Sequence, residues 1–163
     1  MNGLSAKAAM SRCGTNYRSG MKSESALTGA LIKALDAAML GAEVFKHNDR
    51  FTFGIPDISV NWRNTAWLEI KATETERIER HKYWEKQLLA CRRLERATHS
   101  CWFVVYQEIK GLKSVSIYRP QEVFDDCRLG LAEEAFVGYN HSGVAQFVKS
   151  SLQVERMNGC DTA

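Results

Sequence analysis

Apolar and polar positions along this chain fall into two rhythms, one of period two and one of roughly 3.6. The clearest period-two stretch runs from Gly54 to Lys71. Ile58, Val60 and Trp62 share one face of a short strand, with Asp57, Ser59 and Asn61 on the other. After a polar turn around Arg63-Asn64, Leu68 and Ile70 share a face opposite Trp67, Glu69 and Lys71. An antiparallel hairpin must bring the two apolar faces together, because a one-residue slip turns every side chain over. Even-numbered residues therefore pair with even ones, and Asp57 falls on the same side as Glu69 and Lys71. The same parity argues for an odd loop or a bulge rather than a two-residue turn.

Helical rhythm appears first from Ser23 or Ser25, either of which suits an N-cap, to about Leu40. Leu27, Ala30, Leu31, Ala34, Leu35, Ala38 and Met39 form its stripe, and Gly41 follows as a stop. Ala42 to Lys46 reads as a strand and Asn48-Asp49-Arg50 as a turn, with Phe51-Thr52-Phe53 leading into the hairpin. Gly54 marks a close backbone approach or a bulge ahead of Pro56. Thr73 to about Ala97 reads as a long, highly charged helix with a sparse stripe of Ile78, Tyr83, Trp84, Leu88, Cys91 and Leu94. Gln87 lies in the middle of that stripe. His81 and His99 lack ligand spacing and read as surface residues. Ser100 to Ile109 is an apolar run suited to a buried central strand. A turn at 110–113 and an alternating strand from Ser114 to Tyr118 follow. Pro120 opens a short helix, Gln121 to Cys127, and Ser142 caps a last helix carrying Val144, Phe147, Val148 and Leu152 on one face, core or dimer surface. Arg128 to Asn140 has no clear rhythm.

The resulting expectation is α/β: a mixed central sheet of about five strands flanked by helices, with the long helix as a crossover between strands three and four. Three regions are expected: an arm at 1–23, one domain at 24–153 and a frayed tail at 154–163. The arm is small, polar and basic, and Lys7, Arg12, Arg18 and Lys22 are candidates to track a phosphate backbone. At 163 residues and 45% hydrophobic, one core is the natural reading. A net charge of +3 permits nucleic-acid binding without requiring it. Five scattered cysteines without a C-x-x-C pair argue against a disulfide framework or zinc site and suit a reducing cytoplasm. No run is apolar enough for a membrane span, and the N-terminus lacks the apolar segment of a signal peptide.

The chemistry-bearing residues cluster on the polar face of the hairpin. Taken singly, Pro-Asp is an ordinary turn and Glu-x-Lys an ordinary solvated strand face. Together, on adjacent strands whose register is set by their apolar faces, they place two carboxylates and an ammonium side by side. Two close carboxylates repel unless a cation lies between them. Oxygen ligands of this kind suit Mg²⁺ or Mn²⁺, which take one or two carboxylates, waters and substrate phosphate. A lysine two residues along the strand reaches a bound water or a phosphate oxygen. These are the parts of metal-assisted phosphodiester hydrolysis.

At these residues the chain resembles the PD-(D/E)XK nuclease superfamily, with Pro56-Asp57 as its PD element and Glu69-Ile70-Lys71 as its (D/E)XK element. The Gly-x-Pro-Asp start and Glu-x-Lys-Ala ending are most similar to the virus-type replication-repair nuclease and Holliday-junction-resolvase branches, as found in phages. The resemblance covers roughly Glu24 to Tyr118. It implies metal ligation by Asp57, Glu69 and the Ile70 carbonyl, with Lys71 orienting or activating water. Many members bring an acidic residue from the first helix into the site, and Glu24 is the matching position; its placement in the first turn also simply favours the helix dipole. Gln87 matches a glutamine or lysine that approaches the site from the later helix, although backbone partners alone would also satisfy it. The implied activity is Mg²⁺-dependent DNA endonuclease cleavage, of branched DNA such as Holliday junctions, by a homodimer that nicks two strands. A general or restriction-type nuclease and a non-catalytic binding module with the same fold are the alternatives.

Overall fold

The computed structural model describes residues 21–47 and 54–154. Lys7, Arg12 and Arg18 of the basic arm, the turn at 48–50, the lead-in at 51–53 and the tail beyond 154 lie outside the described residues. The elements run α1 (Glu24–Ala38), β1 (Glu43–Lys46), β2 (Ile58–Asn61), β3 (Thr65–Thr73), α2 (Trp84–Thr98), β4 (Cys101–Ile109), β5 (Leu112–Tyr118), β6 (Glu134–Val137) and α3 (His141–Val154). All six strands form one sheet in the order β1-β2-β3-β4-β5-β6. Only β3 and β4 are parallel. A parallel neighbour cannot be reached by a tight turn, and α2 supplies the crossover.

The sheet sorts its residues by parity. Ile58, Val60, Leu68, Ile70, Trp102, Val104 and Tyr106 point to one face, where Leu27, Leu31 and Leu35 of α1 meet Val144, Val148 and Leu152 of α3. Cys101, Phe103 and Val105 point to the other face and pack on Trp84, Leu88 and Cys91 of α2. The apolar face of α3 is thus core. Both central strands are buried on both faces, which explains the unbroken apolar run of β4.

The hairpin loop is odd, as parity requires. Asn61 pairs with Thr65 and Ile58 with Leu68, leaving the three residues 62–64 as the turn. Gly54, at φ 105°, approaches α2 so closely that a Cβ would stand 2.7 Å from the Ala90 Cβ.

The mixed sheet flanked by helices is as expected; its sixth strand, β6, lies in the stretch without rhythm and pairs with β5 from Ser114↔Val137 to Ile117↔Glu134. Three expectations are corrected. The helix expected from Thr73 begins at Trp84. Lys71, Ala72 and Thr73 instead extend β3 along β4, as far as Thr73↔Gln107. The Thr73 hydroxyl donates to the Arg77 carbonyl, and the Ile78 N–H donates to the Cys127 carbonyl, so segment 74–83 is held as loop. The expected helix 121–127 is a set of turns. The Phe124 N–H donates to the Arg128 carbonyl and the Cys127 N–H to the Phe124 carbonyl, neither an i−4 helical bond, while Arg92 of α2 donates to the carbonyls of Pro120 and Val123. The cap of α3 is Asn140, whose Oδ1 accepts the Gly143 N–H at 3.0 Å, rather than Ser142.

Candidate active site

The site forms where β2 runs out and β3 continues. Odd residues of β3 turn their main chain toward β4, as the Trp67 N–H does to the Ser100 carbonyl at 2.7 Å. Even residues face β2, whose last ladder partner on this side is Ile58 opposite Leu68. Beyond that point two carboxylates take over from the missing strand. Asp57 Oδ2 accepts the Ile70 N–H at 2.8 Å, and Glu24 Oε1 accepts the Ala72 N–H at 3.1 Å. The N–H and C=O of one strand residue leave by the same edge. The Ile70 carbonyl therefore opens on the Asp57 side.

Each carboxylate is delivered by local structure. The Asp57 carbonyl is tied to β1 by the His47 N–H at 2.8 Å, which turns the side chain toward β3. Glu24 is the first residue of α1, just after the Ser23 cap, whose Oγ accepts the Ala26 N–H. It stays exposed at the rim.

Glu69 is fully buried on the α2 face. Its Oε1 accepts from Lys71 Nζ at 2.6 Å and from Gln87 Nε2 at 2.6 Å. Its Oε2 is buried and has no hydrogen-bond partner among the described residues. Burial pushes its pKa up to about 8: Lys71 opposes the shift, while Asp57 and Glu24 add to it. Burial alone would depress the Lys71 ammonium, but Glu69, Glu24 and Asp57 outweigh it and hold the group above its ordinary value. One ammonium thus faces three carboxylates, and Glu69, the deepest of them, is the most readily protonated.

All five residues singled out from the sequence, Glu24, Asp57, Glu69, Lys71 and Gln87, meet around the end of β3. Lys22 is exposed and lines the adjoining cleft of about 620 Å³ with Glu24, Lys71, Ala72 and His81. One participant escaped the sequence reading. The His81 ring is within 3.0 Å of Gln87 Oε1 and so joins the network around Glu69. On the continuous helix expected from Thr73, residues six apart point about 120° away from each other and lie about 9 Å apart along the axis; the loop that replaces its first turns brings them together. No spacing signal marks this contact.

The donor set fits a hard divalent cation. An unpartnered buried carboxylate oxygen, a second carboxylate fixed by a main-chain N–H and a carbonyl on the same edge are oxygen ligands of the Mg²⁺ type. Among the described residues no three His, Cys, Asp or Glu side chains form a ready-made ligand group.

In comparisons with known proteins, no family model matches the chain and no curated protein matches it in sequence. The α/β core with its mixed sheet stands on the structure itself. No helix among the described residues is long and apolar enough to cross a membrane.

Proposed function

We propose that this protein is a divalent-metal-dependent DNA endonuclease, acting on branched DNA such as Holliday junctions as a homodimer in the cytoplasm. The observation that carries the reading is Glu69. A fully buried carboxylate with one oxygen doubly occupied and the other unpartnered is costly to maintain, and a bound cation offsets that cost. Asp57, Glu69 and the Ile70 carbonyl would hold Mg²⁺, or Mn²⁺ in its place, with Glu24 at the rim. Bound there, the cation supplies a Lewis acid for a phosphoryl oxygen and lowers the pKa of water. Lys71 orients the attacking water and offsets charge on the pentacovalent phosphorus. Gln87 holds Glu69 in place. The branched substrate and the dimer follow from the resemblance of the Pro-Asp and Glu-x-Lys elements, since two opposed nicks need two sites. The free, buried thiols of Cys91, Cys101 and Cys127 fit a reducing compartment.

The test is a cleavage assay on junction, flap, duplex and single-stranded DNA, with Mg²⁺ and with EDTA, for the wild type and Glu69→Gln. Mg²⁺-dependent cleavage by the wild type alone, strongest on the junction, is expected. Cleavage that survives EDTA or Glu69→Gln removes the site assignment, and a flat substrate profile removes the junction.

A further inference from the structure

We infer that His81 is a positioning residue of the site: it fixes the Gln87 amide in the orientation that donates to Glu69. This rests on the metal-site reading above and assigns a role to a residue outside the carboxylate–lysine set. A glutamine amide is nearly symmetric in shape, and its two ends differ only in that one donates and the other accepts. With Nε2 toward Glu69, Gln87 adds a second donor to Oε1. With the ends exchanged, carbonyl and carboxylate oxygens would repel, and the carboxylate would have to turn to find new donors.

The ring of His81 is set to prevent that exchange. Its Nδ1 accepts the Tyr83 N–H at 3.2 Å. A main-chain N–H only donates, so Nδ1 carries no proton in the neutral ring and Nε2 does. The Nε2–H then donates to Gln87 Oε1 at 3.0 Å, which leaves the Gln87 NH₂ for Glu69. The ring is further held edge-on to Trp84, with centroids 6.2 Å apart. The frame is common to both residues: the His81 carbonyl accepts the Trp84 N–H and the Tyr83 carbonyl accepts the Gln87 N–H, each at 3.0 Å. His81 and Gln87 thus enter the site as one unit built on the start of α2. Its effect is one-sided loading of Glu69, with both donors on Oε1 and Oε2 kept for the cation.

The experiment is a double-mutant cycle on the full chain. Mn²⁺ affinity is measured by calorimetry for the wild type, His81→Phe, Gln87→Ala, the double variant and His81→Gln, with Glu69→Gln as the control. Phe keeps the ring edge on Trp84 and removes both nitrogens; Gln keeps an N–H for Gln87. His81→Phe should weaken Mn²⁺ about tenfold, the scale of losing an outer partner of a metal ligand. The double variant should be no weaker than Gln87→Ala, and His81→Gln should recover most of the loss. A merely structural role for His81 would make the two losses additive. Additivity, or His81→Phe binding like the wild type, overturns the inference. Wild-type binding no tighter than Glu69→Gln would instead remove the metal reading. A second readout, on metal-free protein, then decides the inference by itself: the side-chain amide signals of Gln87 in NMR, assigned by their absence from Gln87→Ala. Loss of their hydrogen-bonded shift and solvent protection in His81→Phe supports the role. Unchanged signals overturn it.

Discussion

The Asp57 carboxylate takes the main-chain N–H of Ile70 at the first position where β2 no longer can. A candidate metal ligand therefore also completes a strand edge, and the two duties separate by substitution. Asp57→Asn keeps an oxygen for Ile70 and removes one of the charges crowding Glu69. It should hold or raise the melting temperature of the metal-free protein while abolishing cleavage. Asp57→Ala orphans the Ile70 N–H and should cost about 1–3 kcal/mol. Thermal melts of both variants check this; equal stability would mean that the Ile70 bond contributes nothing.

Glu69 gives the metal-free protein a signed pH dependence. Unfolded, the carboxyl titrates near 4.5; folded, at about 8. The native state binds more protons across that window, so this contribution to stability is complete below about 4.5 and lost as pH rises through 8. Glu69→Gln removes it. The melting temperature of the wild type, relative to that variant, should fall steadily between pH 5 and 8. At this chain length each kcal/mol corresponds to roughly 2–4 °C. Parallel melting curves would show that Glu69 takes up no proton on folding.

Cation and proton should compete for the same carboxylate. Ligation requires the ionised form, so binding of Mg²⁺ or Mn²⁺ below pH 8 should release a proton. Affinity should rise from pH 6 to pH 8, and calorimetry in buffers of different ionisation enthalpy should count the proton. EDTA should return the protein to its metal-free melting temperature. Affinity independent of pH would exclude Glu69 as a ligand.

Lys71→Ala should separate chemistry from binding. The ammonium, 2.6 Å from Glu69 and almost buried, acts on charge that grows toward the transition state. Loss of one such donor typically lowers the rate by about 10²–10³. DNA affinity in Ca²⁺ should change by less than about tenfold. An affinity loss as steep as the loss in single-turnover rate would make Lys71 a phosphate anchor instead.

Gly54→Ala should disturb the site from outside it. A methyl group there meets Ala90 of α2 at 2.7 Å, on a backbone at φ 105°. Strain and overpacking together should cost at least about 2 kcal/mol. Ala90→Gly should recover the packing part and leave the strain. Chemical denaturation of the single and double variants measures both; a Gly54→Ala protein as stable as the wild type would mean that the strand entry yields freely.

The sequence by itself determined what depends on period and parity. Alternation of Ile58 and Val60, then Leu68 and Ile70, is a local property, and burying those residues on one face leaves Glu69 and Lys71 on the other. The leucine stripe of α1 and the apolar run of β4 are local in the same way. Tertiary structure decided what depends on partners distant in the chain. Thr73 belongs to β3 because Gln107 pairs with it, so α2 begins at Trp84 rather than at Thr73. Glu134–Val137 becomes β6 because β5 offers it an edge. The expected helix 121–127 gives way to turns because its Phe124 N–H is taken by the Arg128 carbonyl of the returning chain. The same distinction runs through the site. Parity places Glu69 beside Lys71, but only the packing of α2 on the sheet buries it and brings Gln87, with His81 behind it, to one of its oxygens. Periodicity sorts side chains between faces; hydrogen-bond partners and burial depend on which segments meet.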